Sequence, residues 1–577
     1  MVNRFHSYRL LMPLFVQYRW HVVQAILALF LASAFTLALP MMIKEIVTAA
    51  VAEDLAQLQT GFLVTLCVAL GLGVASAYRF YMVSWLGERV VAVLRQRLFI
   101  HLTRMNSTFF DQNQIGELTS RLITDTTLVE QVVGTSLSVA LRNFVLLLGS
   151  AVFLFMTSPY LSMLMLVVTP AVVAPVIYFA RKYRLLSKES QAFIAESNAY
   201  ANQVLSLIET VRAYQYEAAA HRHFSGVIEE GFRASKKRIW ARSQLTVMIM
   251  VLVISAMVAV LWLGTLAVFT GDSGLTAGDI GQFFGYSVYI SVAVAALSEV
   301  WGDLMRASGA MSRIIDLLAQ PVDVQDSGAD LKAYDISFDG VSFIYPLRKN
   351  IQILNKVSFE AQAGKVTALV GISGAGKSTI FKLLMGFYKH YEGSIQVGQS
   401  DSTELSTSGL RSSIALVSHQ AGIFPMSLRE NITLGGNYTE EAVLAAIKMA
   451  NIDAFVEMLP DGLDTVVGER GVLLSEGQRQ RVALARAIIR DADIVLLDEA
   501  TNALDAITEE AITSALKGAF AKKTVLVIAH RLATVMDADH IVVLDQGEVQ
   551  AQGTHRYLLK NSDIYRDIAN IQMIISG

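Results

Sequence analysis

Two regimes of hydrophobic patterning divide the chain. In the N-terminal half, apolar runs of about 20 residues, the length that crosses a bilayer, recur six times: Trp20–Ile43, Leu58–Trp85, Leu137–Thr157, Tyr160–Ala180, Leu245–Thr270 and Ile280–Trp301. Only Thr157-Ser158-Pro159 separates the third run from the fourth, which predicts a tight helical hairpin. Gly87–Met105 and Lys182–Val204 keep helical spacing without Pro or interior Gly, so the helices are expected to continue beyond the bilayer. Each excursion must then turn back. Phe109-Phe110-Asp111 with Gly116–Arg121 marks the first tip, and Glu209–Tyr214 the second. Both are expected to dock on a partner domain rather than to stand as solvated loops.

In the second regime, short β-branched runs alternate with amphipathic stretches. Ile336–Phe343 reads as a strand ending near Tyr345-Pro346, and Lys365–Val370, Ile494–Leu497 and Val525–Ala529 read as buried strands. Between the regimes lies Asp316–Tyr334, polar and containing Pro321. The expected organisation is a membrane domain at 1–318, a linker at 319–335 and an α/β domain at 336–577.

Composition fits this split. Charged residues make up 17% of the 577 positions and mean hydropathy is +0.46, against about 25% charge in soluble domains. A net charge of −3 gives no reason to expect a nucleic-acid partner. Lys and Arg crowd the connections between runs two and three and between runs four and five, and almost none occur in the others. The positive-inside rule then places the N-terminus, both long excursions and the C-terminal half in the cytoplasm. The first run exceeds a signal-peptide core of about 7–15 residues, so it is expected to be retained. With no Ser/Arg-rich leader, a bacterial inner (plasma) membrane is expected. The lone Cys67 is expected to be a packed thiol that forms no intrachain disulfide. Arg142, Glu299 and Asp303 are expected near cytoplasmic helix ends, snorkelling or paired. Ser287, Ser291 and Ser298 recur beside Tyr286 and Tyr289, either lining a path or packing helices.

The chemistry centres on Gly371-Ile372-Ser373-Gly374-Ala375-Gly376-Lys377-Ser378, followed by Thr379 at the start of a helical stretch. Strand, glycine-rich loop, Lys-Ser and helix in this order form a phosphate-binding loop. Its amides and the helix N-terminus point at phosphate oxygens. Lys377 is expected to reach the β- and γ-phosphates and Ser378 to hold Mg²⁺. Downstream, Asp498 and Glu499 end an apolar strand, which suits a Mg²⁺-shell ligand followed by a base that polarises water. Ser475, Gly477 and Gln478 open a helix, a second anion-binding arrangement. His530 ends another strand, Asp505 follows the carboxylates, and His419-Gln420 precede Phe424 and Leu428–Ile432.

Together these motifs resemble an ATP-binding cassette half-transporter with the exporter-type membrane fold, over essentially the whole chain. The resemblance implies that Gly371–Ser378 is Walker A, Asp498 the Walker B aspartate, Glu499 the catalytic carboxylate and His530 the switch histidine. Tyr345 would stack on adenine. Ser475 and Gly477 belong to the signature that caps the nucleotide of the opposite subunit. Gly468–Gly471 resembles the segment that senses the membrane domain, and the two tips resemble coupling loops.

Two departures stand out. Glu476 replaces the first Gly of Leu-Ser-Gly-Gly-Gln. The position of the Gln that approaches Mg²⁺ is filled either by His419 or, with a one-residue slip, by Gln420.

One Walker side and one signature side cannot close on each other within one chain, so the resemblance implies a second half-transporter. A homodimer is the first expectation and a heterodimer the second. The expected function is ATP-driven alternating access that moves an amphipathic small molecule, peptide or lipid across the membrane or between its leaflets, in the direction of export. A same-fold importer, for instance of a metal-loaded siderophore, and an ATP-gated channel are the alternatives.

Overall fold

The computed structural model describes residues 12–269, 275–323, 333–418, 421–468, 474–498, 518–529 and 535–576. They form two compact units: residues 1–97 with 120–318, and residues 98–119 with 319–577. The tip of the first excursion therefore packs with the C-terminal unit.

The first unit is all helical. Its long helices are α1 (Arg19–Val51), α2 (Leu55–Leu102), α3 (Ile115–Thr157), α4 (Pro159–Ser206), α5 (Glu217–Phe269) and α6 (Ala277–Leu318). All six are long and apolar enough to cross a membrane. They outrun the apolar runs, as the unbroken helical spacing predicts. Ser158 caps α4 by accepting from the Leu161 amide, with Pro159 behind it at a position where no amide is needed.

Side-chain pairs fix the registers. Tyr286 Oη donates to the Leu37 carbonyl at 2.8 Å, and Lys44 Nζ meets Asp279 Oδ1 at 2.8 Å, which joins α6 to α1. Phe153 stacks on Tyr286 at 5.3 Å, Ser136 Oγ donates to Asp303 Oδ2 at 3.0 Å, and Arg313 grips Asp125 in bidentate fashion, which joins α6 to α3. Asp303 also pairs with Arg306. Helices α4 and α5 form a separate couple through Ser190 and Ser235 at 2.9 Å and the rings of Tyr200 and His223 at 4.5 Å.

Between α2 and α3, Gly87 lies so close to Gly134 that a Cβ on Gly87 would stand 2.5 Å from the Gly134 Cα. Two π-helical turns, Arg121–Asp125 and Val132–Ser136, interrupt α3 at this level. Neither turn is readable from the hydrophobic pattern, which begins the third span at Leu137.

Cys67 corrects an expectation, because it is exposed on α2 and not packed. The outward side of a membrane helix meets acyl chains, so apolarity does not mark burial against protein there.

In the second unit, a four-stranded sheet of order β2-β1-β4-β5 lies beside a six-stranded sheet of order β10-β9-β3-β8-β7-β6. The first comprises β1 (Ile336–Ile344), β2 (Gln352–Ala361), β4 (Glu392–Val397) and β5 (Ser400–Asp401). The second comprises β3 (Val366–Val370), β6 (Ile414–Val417), β7 (Ile494–Asp498), β8 (Thr524–Ile528), β9 (His540–Asp545) and β10 (Glu548–Gly553). Strands β6, β7, β8, β3 and β9 run parallel, and β10 is antiparallel at the edge. Successive residues of β3 serve opposite cores: Leu369 faces one with Ile380 and Leu496, and Val370 faces the other with Val482 and Val495. Burial on both faces explains why these strands read as unbroken apolar runs.

Candidate functional site

Parallel strands deliver their C-terminal ends to one edge of a sheet, where α/β folds place ligands. That edge receives Gly371 after β3, Asp498 at the end of β7, Ala529 after β8 and Ser418 after β6. Helix α7 (Lys377–Leu384) leaves the β3 end, so Gly371–Gly376 is the turn between strand and helix.

Backbone geometry accounts for two of its glycines. A Cβ at 371 would stand 2.1 Å from the Leu544 carbonyl oxygen on β9. Gly376 has φ of +97° as the residue before α7, and a Cβ there would also meet Leu354 at 2.6 Å. Ala375 is buried, while Ile372 and Ser373 face outward. Lys377, only 6% exposed, donates to the carbonyls of Gly371 at 2.7 Å and Ile372 at 2.9 Å. Its ammonium thus sits inside the loop. Ser378 Oγ lies 3.5 Å from Asp498 Oδ1. Two residues 120 positions apart therefore set a hydroxyl and a carboxylate side by side.

Tyr345 Oη and Thr379 Oγ1 are hydrogen-bonded at 3.0 Å, which places the Tyr345 ring beside the start of α7. Tyr388 meets the Tyr345 ring edge-on at 5.3 Å. Tyr388 Oη in turn donates to Asp111 Oδ2 at 2.5 Å. Asp111 stands on the short helix Ser107–Gln112, capped by Asn106 through the Phe109 amide. Burial and the Asp111 carboxylate push the Tyr388 hydroxyl well above the ordinary tyrosine range. Asp323 adds a second tie to the same segment. Its amide donates to the Arg104 carbonyl at 2.9 Å, and its carboxylate meets Lys389 Nζ at 2.8 Å.

Ser475, Gly477 and Gln478 open helix α8 (Glu476–Arg490). The Ser475 hydroxyl accepts from the Gln478 amide and the Gln478 side chain accepts from the Ser475 amide, a reciprocal capping box. Their hydrogen bonds thus stay within the start of α8. Glu476 occupies the first turn and is exposed, where an acid complements the helix dipole.

The structure therefore gathers Tyr345, Gly371–Thr379 and Asp498 at one sheet edge, and holds Ser475–Gln478 at a different helix start. His419, Gln420, Glu499, Asp505, His530 and Glu469–Gly471 lie outside the described residues.

Sequence reasoning missed two groups. One is the pair Tyr388 and Asp323, each recognisable only through a distant partner. The other is Arg486 with Asn431. Arg486 donates to the carbonyls of Asn431 and Gly422, both at 2.5 Å, and to the Asn431 side chain at 2.8 Å. Burial pulls the Arg486 guanidinium down to about 10, so it stays charged at neutral pH. Asn431 is fully buried and also bonds Phe424, Met426 and Ser427, fixing the loop that leads from β6.

Comparison with known proteins decides the family. The profile of the ABC transporter transmembrane region matches residues 22–297, and the profile described as ABC transporter matches residues 354–502. The mouse mitochondrial ATP-binding cassette sub-family B member 10 is 35% identical over 520 residues, covering 88% of this chain and 72% of that protein. The chain belongs to the ABC transporter family. It is also 34% identical to the human ABC-type oligopeptide transporter ABCB9 over 533 residues, covering 90% of this chain and 68% of the relative. A solved bacterial Atm1-family ABC exporter with ATP bound matches with a TM-score of 0.82 and 28% identity, covering 96% of this chain and 98% of that one. The chain is a multi-pass half-transporter of the exporter type that binds and hydrolyses ATP. Half-transporters of this family work as dimers.

Proposed function

We propose that this ABC half-transporter works as a homodimer in a bacterial plasma membrane and exports an amphipathic small molecule, peptide or lipid by alternating access. The observation that carries the nucleotide chemistry is the approach of Ser378 Oγ to Asp498 Oδ1 at 3.5 Å, beside a loop that encloses Lys377. Two hard oxygen donors at the mouth of a phosphate-binding turn suit Mg²⁺. When bound, Mg²⁺ supplies charge neutralisation between the β- and γ-phosphates. Lys377 holds the γ-phosphate side and the loop amides hold the remaining oxygens. The Tyr345 ring stacks on adenine and Asp505 completes the nucleotide contacts.

Glu499 directly follows Asp498 in the chain, and His530 directly follows Ala529. Glu499 comes one residue, and His530 two residues, after a strand that ends at this edge. Glu499 polarises the attacking water, His530 contacts the γ-phosphate, and His419 or Gln420 fills the Q-loop position. Ser475, Gly477 and Gln478 cap the nucleotide of the second subunit. ATP makes contacts with both subunits only in the closed arrangement, so binding favours closure and hydrolysis releases it.

An apolar cavity of about 230 Å³ between α4, α5 and α6 supports an amphipathic cargo. Ser287, Ser291 and Thr169 are among its lining residues, with Met165, Met257 and Phe283. In this reading, domain limits of 1–318, 319–335 and 336–577 separate membrane, linker and ATPase parts.

The test of direction is uptake into inside-out vesicles containing the purified chain. ATP-dependent accumulation of a fluorescent amphiphile supports export. ATP-dependent loss of a preloaded amphiphile would instead mean import.

A further inference from the structure

Arg79 lies inside the second apolar run and Arg142 inside the third. The Gly87–Gly134 approach and the Arg95 Nε to Thr126 Oγ1 hydrogen bond of 2.9 Å set α2 against α3 in antiparallel register. The two pairs differ by eight residues on each helix (95 less 87, and 134 less 126). Eight residues further along, that register brings Arg79 level with Arg142. The contacts agree. Arg79 Nη1 donates to Ser138 Oγ at 2.6 Å, one turn before Arg142 on α3. The two guanidiniums lie within electrostatic reach of each other, and Tyr289 of α6 is within reach of Arg142.

Two like charges at one level of a membrane domain need compensation. No carboxylate pairs with either arginine among the described residues. The Nε atoms of both arginines are buried without a hydrogen-bond partner among the described residues. Across the six apolar runs Glu299 is the one carboxylate, and it forms no ion pair among the described residues. Asp303 is already engaged by Arg306 and Ser136. A second copy of the chain adds its own Glu299 but also its own Arg79 and Arg142, so the excess of positive charge in the runs is unchanged.

Simple snorkelling would send both heads to interfacial water. The buried Nε atoms oppose that reading. Arg79 lies six residues from Trp85 and Arg142 five residues from Leu137. At 1.5 Å per residue both are about 8–9 Å inside their runs.

We propose that Arg79 and Arg142, with Ser138 and Tyr289, form a site for an anionic headgroup, carboxylate or phosphate, presented by an amphiphile at the depth of the cytoplasmic leaflet. Guanidinium forks match such oxygens in bidentate geometry. The inference rests on the export reading for its orientation, and it narrows the cargo class to acidic amphiphiles. The same chemistry serves a resident anionic lipid.

The test is lipid retention by the full chain, which needs no ATP hydrolysis and so stands apart from the test of transport. The protein is released from nanodiscs of equal phosphatidylcholine and phosphatidylglycerol, and bound lipid is read by native mass spectrometry. Laurate titrated into phosphatidylcholine-only nanodiscs forms the second arm. We expect retained phosphatidylglycerol, bound laurate or both to exceed phosphatidylcholine about tenfold, and R79Q/R142Q to bring the ratio near unity. Phosphatidylglycerol alone identifies a resident lipid, and laurate alone identifies cargo. If R79Q/R142Q fails to fold, R79K/R142K is expected to keep most of the preference, because it keeps the charge. The proposal is overturned if the native protein shows no anion preference in either arm. It is equally overturned if a folded R79Q/R142Q protein keeps the preference.

Discussion

The hydroxyl of Tyr388 donates to the carboxylate of Asp111 across 2.5 Å, although 277 positions separate them. Asp111 belongs to the excursion between α2 and α3, and Tyr388 touches the Tyr345 ring that is bonded to the start of α7. One contact thus connects the tip of a membrane helix pair to the mouth of the phosphate-binding loop. Its aromatic neighbour Tyr345 is bonded to Thr379, so the contacts run without a gap from Asp111 to the start of α7.

Tyr388→Phe keeps the ring and removes the donor. The lost hydrogen bond is worth about 1 kcal/mol, since Asp111 is exposed. We expect basal ATP hydrolysis to persist and amphiphile stimulation of it to fall several-fold. Asp111→Asn should act in the same direction, and the double variant should be no worse than the worse single one. Independent effects that multiply in the double variant would contradict a shared contact.

The same contact should be insensitive to pH over the physiological range. The Tyr388 hydroxyl is held above its ordinary value by burial and by Asp111. A group with a raised folded pKa contributes stability that is fully present below its unfolded value, about 10 for tyrosine. That contribution is lost as pH rises through the still higher folded value. Stimulated hydrolysis in the native protein and in Tyr388→Phe should therefore keep a constant ratio between about pH 6 and pH 9. A ratio that converges within that window would count against the assignment.

Much of this architecture can be read from the residues. The phosphate-binding turn is local, and each of its requirements is written in consecutive positions from Lys365 to Met385. The six spans are equally legible, because length and apolarity alone define them. Arg79 was also available as a signal, since an ionisable group inside Leu58–Trp85 is costly. Its significance emerges only when the Gly87–Gly134 approach sets the register that brings it level with Arg142. Tyr388–Asp111 and Arg486–Asn431 were not legible, because partners 277 and 55 positions apart leave no periodic trace. Cys67 was misjudged, because a lipid-facing surface and a protein core favour the same apolar residues.

Asn431→Ala should be among the most destabilising single changes in the ATPase unit. The side chain is fully buried and serves Phe424, Met426, Ser427 and Arg486 at once. Stranding several buried partners costs on the order of 3 kcal/mol. A melting temperature within a degree or two of native would refute this account of the network.

Gly371→Ala should abolish nucleotide binding, because its Cβ would collide with the Leu544 carbonyl at 2.1 Å. Backbone cannot yield there without separating β3 from β9. Binding of a fluorescent ATP analogue reports the outcome directly, and native affinity in the variant would contradict the packing described.

Glu476→Gly should leave hydrolysis unchanged or raise it. The carboxylate is exposed in the first turn of α8, whose start is already satisfied by the Ser475–Gln478 box. A large loss of turnover in this variant would assign the carboxylate a role of its own.

The central claim is that two copies of this chain alone make a working ATP-driven pump. The most direct measurement is ATP hydrolysis by the purified chain in lipid vesicles, with Glu499→Gln beside it. The account predicts robust Mg²⁺-dependent hydrolysis that Glu499→Gln abolishes. Hydrolysis no greater than that of Glu499→Gln would contradict the homodimer and point to a missing partner subunit.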